Sequence, residues 1–267
     1  MRELFLGNFK LREVPSALVG MESLTSLMLG HNHIDHGWEH LHPLCQLREL
    51  DLSNCNLTQV PAVLAGMESV THLVLDWNPA IERGWEHLRP LHQLRELILV
   101  RCGLTELPEV LVGMESMARL DLGLNPVARG WEHLHPLHQL REVDLSNCNL
   151  TQVPAALAGM ESVTLLDLGW NPIKCGWEHL LPLARLQKLI AAVDVDNVPA
   201  AFEALVSRNV TIDLLVMMNR LCCSSYCLQG LCNCCSLPAA GEGAAATGAV
   251  ASVSGFCQCS RILCSFI

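Results

Sequence analysis

From residue 1 to about 208, apolar residues recur at the first, fourth and sixth places of a unit 23 residues long, with polar residues filling most places between them. Units start at Met1, Leu24, Leu47, Val70, Leu94, Met117, Leu140, Val163 and Leu186, all at steps of 23 except for one step of 24. The extra residue lies in NPAIERGW, between Asn78 and Trp85. Alternation over LxLxL-like stretches is the signature of a short strand with one face buried. Each unit therefore predicts a strand at places three to six that sends its fourth and sixth residues inward. In the unit 47–69 these are Leu50 and Leu52, with Leu47, Leu57, Leu64 and Met67 completing a core layer. The return path is predicted to be irregular near Val60-Pro61, with a short helical turn at GWEHL.

Two unit types alternate. One reads LxxLxLxxCxLxxLPxxLxGMES, as in 94–116, and the other LxxLxLxxNPxxxGWEHLxPLxQ, as in 117–139. The duplicated element is thus a pair of about 46 residues: LRELDLSNCNLTQVPAVLAGMES (47–69) returns at 140–162 with only Leu50/Val143 and Val63/Ala156 differing. The motif LxxLxLxx(N/C)xL at this period resembles the leucine-rich-repeat family, and the LP-containing type is similar to its intracellular, Ras-scaffold-like members. The GWEHL half, with Trp where Leu-Pro is usual, departs from that pattern. The resemblance implies an α/β solenoid with a concave parallel β-sheet, a fold that hosts many binding partners. The repeats reach the same architecture on their own, because no unit can bury its apolar side without a neighbour.

Four pairs span 1–185. A degenerate ninth unit (186–208) and the segment NVTIDLLV (209–216) predict a C-terminal cap near 186–216 that closes the sheet. The repeat domain is expected to be 1–216. Met1 stands where a repeat Leu belongs, so the chain reads as a fragment of something longer.

Charge changes the picture next. The formal net charge is −10, and residues 1–216 hold 15 basic and 26 acidic groups, so the basic stripe that nucleic acid requires is missing. MRELFLGNFK has no signal-peptide order, and no apolar run is long enough to span a membrane. A reducing, cytoplasmic setting is expected.

The chemically suggestive residues follow the repeat. His40, His87, His133 and His179 occupy equivalent places two units apart, about 10 Å from one another, too far to share a metal ion. They read as surface histidines copied by duplication, and HLHPLHQ, with His133, His135 and His138, lacks a fourth ligand. Cys55, Cys102 and Cys148 fill the turn place held by Asn32, Asn78, Asn125 and Asn171 in the other type, and read as buried reduced thiols. Trp38, Trp85, Trp131 and Trp177 read as core of the convex side. With no nucleophile–base set and no phosphate-cradling loop outside the repeat, no catalysis, cofactor or metal is expected.

The candidate site is the concave face, where the copies diverge. Place eight of the second type holds His31, Trp77, Leu124 and Trp170, candidate apolar anchors. Place five stacks Asp121, Asp144 and Asp167 on adjacent strands, and like charges facing each other across strands destabilise a sheet. Arg95, Arg101 and Arg119 add opposite charge in the middle. The expected partner is a protein or peptide with a basic segment and one or two apolar residues. Beyond 216 the composition switches to a Cys-rich, small-residue stretch (217–267), expected to be disordered. Its end, Cys264-Ser-Phe-Ile, resembles a prenylation box, with Cys257 and Cys259 upstream as palmitoylation candidates. The alternatives to a plain binding module are accordingly a lipid-tethered membrane adaptor and the sensor fragment of a larger signalling or immune receptor.

Overall fold

The computed structural model describes residues 1–193 and 198–216. Ten strands form one parallel sheet in strict chain order: β1 (Glu3–Phe5), β2 (Ser26–Met28), β3 (Glu49–Asp51), β4 (His72–Val74), β5 (Glu96–Ile98), β6 (Arg119–Asp121), β7 (Glu142–Asp144), β8 (Leu165–Leu168), β9 (Lys188–Val193) and β10 (Thr211–Val216). Equivalent residues of successive units pair directly, as in Leu50↔Leu73 and Leu97↔Leu120. The chain is thus a solenoid with a concave parallel sheet, and side chains at one place of the unit form columns along it.

The core lies behind the sheet. Leu47, Leu50, Leu52, Leu57, Leu64 and Met67 are all buried, as the alternation predicts, and the same places are filled in the other units between Leu24 and Arg185. The return path is more regular than its sequence suggests. Both unit types carry a 3-10 turn there, Ala62–Gly66 after Pro61 and Trp85–Leu88 in GWEHL, with equivalents in the other pairs. Trp38, Trp85 and Trp131 pack half-buried on the core, and Trp177 is buried edge-on to Phe202, ring centroids 5.0 Å apart.

The pair of units is a physical module. Isolated parallel bridges Glu13↔His36, Gln59↔Arg83, Glu106↔Arg129 and Gln152↔Cys175 each join a first-type unit to the second-type unit that follows. The glycine of each GW dipeptide makes that approach feasible. Gly84 has φ 85°, and a Cβ there would meet the Val60 carbonyl oxygen at 2.7 Å, so neither the backbone angle nor the space admits a side chain. Three of the four repeated histidines belong to the same seam and are not simple surface copies. His40, His87 and His133 are half-buried, with Nδ1 2.7, 3.0 and 2.9 Å from the carbonyl oxygens of Val14, Val60 and Leu107.

At the C-terminal end, helix α1 (Ala201–Ser207) packs Phe202 and Leu205 onto the last core layer, and β10 closes the sheet against β9. The segment 209–216 therefore supplies the last strand among the described residues.

Candidate functional site

The concave surface is built from three columns. Place three carries Glu49, His72, Glu96, Arg119 and Glu142 on β3 to β7. Place five reads Phe5, Met28, Asp51, Val74, Ile98, Asp121, Asp144, Asp167, Ile190 and Asp213. The early half of this column is mostly apolar, and the later half begins with three carboxylates in direct register.

Place eight forms a ledge at the C-terminal ends of the strands. Strand alternation, which sends places four and six inward, would also send place eight inward. Instead every residue there from Asn8 to Trp170 is left-handed: His31, Trp77, Arg101, Leu124 and Trp170 have φ of 55–60°, and Asn8, Asn54 and Asn147 have 62°, 47° and 54°. The left-handed step breaks the alternation, so that place eight turns out and place nine turns in. Each ledge N–H continues the sheet ladder; Trp77 N–H donates to the Val100 carbonyl at 2.8 Å and Leu124 N–H to that of Ser146 at 2.9 Å.

Place nine is the inward partner. Asn125 is wholly buried; its Oδ1 accepts from Cys102 N–H and Leu104 N–H at 2.9 and 3.0 Å, while Nδ2 donates to the carbonyls of Leu99, Leu122 and Gly123 at 2.8, 2.8 and 3.2 Å. Asn32, Asn78 and Asn171 repeat this arrangement. In the alternate units the thiols of Cys55, Cys102 and Cys148 donate to the carbonyls of Leu29, Leu75 and Leu122 at 3.3, 3.2 and 3.2 Å. Burial pushes the Cys55 thiol up to about 11 and those of Cys102 and Cys148 up to about 12, so all three stay protonated and poorly nucleophilic.

The anchor candidates do not form one patch. Trp77, Arg101 and Leu124 are consecutive on the ledge, with the Arg101 guanidinium stacked 4.3 Å from the Trp77 ring centroid. Trp77 and Leu124 are 40% and 42% exposed. Asn147 separates Leu124 from Trp170, which is half-buried, and His31 lies near the front with Nδ1 3.1 Å from Asn54 Nδ2.

The aspartates have a duty that their spacing did not reveal. Oδ1 of Asp51, Asp121, Asp144 and Asp167 accepts from the N–H two residues on, at 2.8, 3.0, 2.8 and 2.7 Å, fixing the turn into the ledge. Burial, followed by the neighbouring Asp144 carboxylate, pushes Asp121 up to about 6, and burial with Asp144 and Asp121 beside it does the same to Asp167. Asp76, which sequence reasoning passed over, is also pushed up to about 6, mainly by burial and then by Asp51. Its Oδ1 is buried and has no hydrogen-bond partner among the described residues. Only the register of the folded sheet could have shown that Asp76 is crowded by Asp51.

The arginines scatter. Arg119, on β6, lies between Glu96 (3.3 Å) and Glu142 (3.7 Å), so its charge is already countered. Arg95 precedes β5 and lies at the rim of the sheet, off the concave strands. Cys257, Cys259 and Cys264, and with them the expected disorder of 217–267, fall outside the described residues. Among the described residues no group of three or more His, Cys, Asp or Glu is placed to hold a metal ion, and no helix is long and apolar enough to cross a membrane.

Known proteins share the fold that these in-register strands, backed by an asparagine column, build. The Leucine Rich Repeat family model matches residues 46–67 and 139–160, the two near-identical copies. The chain is built of leucine-rich repeats. Similar solved structures include internalin C2 of Listeria monocytogenes, at 23% identity and TM-score 0.61, over 71% of this chain and 80% of that one. The leucine-rich-repeat domain of the type III effector XopL is 20% identical with TM-score 0.63, over 80% and 76%. A leucine-rich-repeat protein of Leptospira interrogans is 18% identical with TM-score 0.57, over 82% and 68%. No curated protein matches the chain. Leucine-rich-repeat arrays generally serve as protein-interaction modules, through the extended concave surface that stacking creates.

Proposed function

We propose that this array is a non-catalytic module whose concave face takes a segment of another protein bearing Lys or Arg and one or two apolar side chains. A cytoplasmic scaffold role belongs to the same reading, on the resemblance of the LP-containing units to intracellular members of the family. Trp77 and Leu124 are its apolar anchors, with Trp170 further along, and Asp121, Asp144 and Asp167 meet the basic groups. His31, Arg101 and Arg119 border the contact, while Arg95 stands outside it at the rim.

The observation that carries the reading is the backbone of the ledge. A left-handed conformation costs an ordinary residue about 1–2 kcal/mol, whereas Asn tolerates it. Asn54 and Asn147 occupy the slot in the first-type units, yet Trp77, Leu124 and Trp170 hold it with bulky side chains. Strain retained on an exposed surface marks a functional contact more often than a structural one. Three carboxylates in mutual repulsion on the same face are the second such cost, and a cation relieves it.

The test is a pull-down with the full chain as bait, repeated with Leu124→Asn and with Asp144→Asn. Both variants keep the local hydrogen bonds, so proteins retained by the parent and lost by each variant mark the concave contact. Retention of the same proteins by both variants would refute the reading. Asp144→Asn is preferable to charge reversal, because Arg at 144 would also remove the acceptor for Ser146 N–H.

A further inference from the structure

The rim at the N-terminal ends of the strands carries the opposite sign. Arg2, Arg48, Arg95 and Arg141 recur at place two of the first-type units, and in the ninth unit the QLR of 46–48, 93–95 and 139–141 is inverted to RLQ at 185–187. The inversion moves Arg185 to the place of Gln93 and Gln139, outside the column whose successive rungs are Arg48, Arg95 and Arg141, two strands and about 9.6 Å apart at the usual strand spacing. All three are exposed. Among the described residues no ion pair involves any of them, since the nearby Glu96 and Glu142 are turned to Arg119.

Two grooves lie along this rim. One, of about 370 Å³, lies between Arg95 and Arg141, with Gln93, Ser116 and Gln139 in its wall. The other, of about 700 Å³, is shared by Arg141, Arg185 and Arg208, with Thr164 and Gln187. Arg208 is held there by donating Nη1–H to the Leu181 carbonyl at 2.7 Å and Nη2–H to that of Leu183 at 2.6 Å, contacts that fix the guanidinium without cancelling its charge. Glu142 is the one carboxylate lining either groove, and it faces Arg119. In a chain of net charge −10, this rim concentrates uncancelled positive charge, the complement of the aspartate column.

We propose that this rim binds an acidic segment of a protein partner in polyproline-II conformation, with a carboxylate at every third residue seated on Arg48, Arg95 and Arg141. Polyproline II has three residues per turn and a rise of about 3.1 Å, so same-face side chains repeat every ~9.3 Å, close to the step of the ladder. An extended strand puts residues i and i+3 on opposite faces. An α-helix repeats its face at ~5.4 Å, and two of its turns overshoot each step by more than 1 Å. Guanidinium forks suit carboxylates, which they engage through two parallel hydrogen bonds. Gln46, Gln93 and Gln139, each two residues ahead of one of these arginines, offer amide donors and acceptors to the backbone of the segment, which has no internal hydrogen bonds in this conformation. The surface is separate from the concave contact, whose aspartates repel such a segment.

The test uses the full chain and two blocked nonapeptides of equal composition, one with Glu-Pro-Pro repeated three times and one with three Glu followed by six Pro. Titration calorimetry at low salt is expected to show the spaced peptide binding about tenfold tighter than the contiguous one, weakening as salt is added. Arg95→Gln combined with Arg141→Gln should weaken the spaced peptide by at least about tenfold. Its far-UV spectrum and melting temperature should be unchanged, because both side chains are exposed. Equal affinity for the two peptides, no measurable binding of either, or binding that survives the double substitution would overturn the proposal. So would preference for a sulfated oligosaccharide over both peptides.

Discussion

Places eight and nine of the repeat are neighbours in sequence and opposites in behaviour. Place nine is restricted to Asn and Cys from Asn32 to Asn171, wholly buried, each side chain bonded to the backbone of the preceding unit. Place eight, one residue earlier on the same turn, holds His, Asn, Trp, Arg and Leu, facing out in a conformation that only its Asn residues tolerate easily. The inward column answers to folding, which asks the same of each unit, and the outward column answers to something that differs from unit to unit. A small polar side chain can close a turn from inside; a tryptophan cannot stabilise one from outside.

The sharpest way to break this contrast is to exchange the demands. Asn125→Ala leaves Cys102 N–H and Leu104 N–H without their acceptor and the Leu99 carbonyl without a donor, while the Leu122 carbonyl keeps the Cys148 thiol and the Gly123 carbonyl keeps Arg101 N–H. Each buried group left unpaired costs about 1–3 kcal/mol before relaxation. The expected loss is about 3–5 kcal/mol, read as a fall in the urea midpoint. In a linear array the damage should centre on the units around Asn125, with amide exchange rising first on β5 and β6. The reverse experiment sits one residue away. Leu124→Asn should stabilise by up to about 1 kcal/mol, up to roughly 4 °C in melting temperature, because Asn relieves the left-handed strain, which outweighs the packing lost where Leu124 is covered. The same variant should lose partner binding. A variant that melts higher and binds less is the signature of a residue kept for recognition; a lower melting temperature would assign Leu124 to folding instead.

How much of this was legible follows the same division. The strand places, the inward leucines, the Asn/Cys column and the closing strand at 211–216 could be read from the sequence, since period and alternation report burial directly. The histidines of GWEHL could not. Their role depends on a carbonyl 26 or 27 residues away that no periodicity reports. For the aspartates the column and its register were foreseen, but not the bond each makes two residues on, because turn geometry at place seven has no hydrophobic signature. The rim arginines were visible as a recurring QLR and its inversion, yet only the grooves between successive strands gave the pattern meaning.

The smallest effect expected concerns pH and separates the two halves of place five. Asp121 and Asp167 ionise near 6 in the folded chain and near 3.8 when unfolded. Between about pH 4 and 6 the native state therefore binds more protons than the unfolded state, and these groups lower stability as pH rises through that window. Asp144 is the shared neighbour, paired with Asp121 on one side and Asp167 on the other. Asp144→Asn keeps an oxygen for Ser146 N–H and removes the charge, so at pH 7 it should gain up to about 1 kcal/mol, an advantage that shrinks at pH 5. Val74 and Ile98, on the apolar half of the same column, carry no such charge, and Val74→Thr should leave the pH slope untouched. Partner binding must move the other way. A cation needs the carboxylates ionised, so affinity should rise between pH 5 and 7 in the parent and rise less in Asp144→Asn. Loss of stability and gain of affinity across the same pH interval would show that one set of carboxylates carries both; affinity independent of pH there would remove the aspartates from the contact.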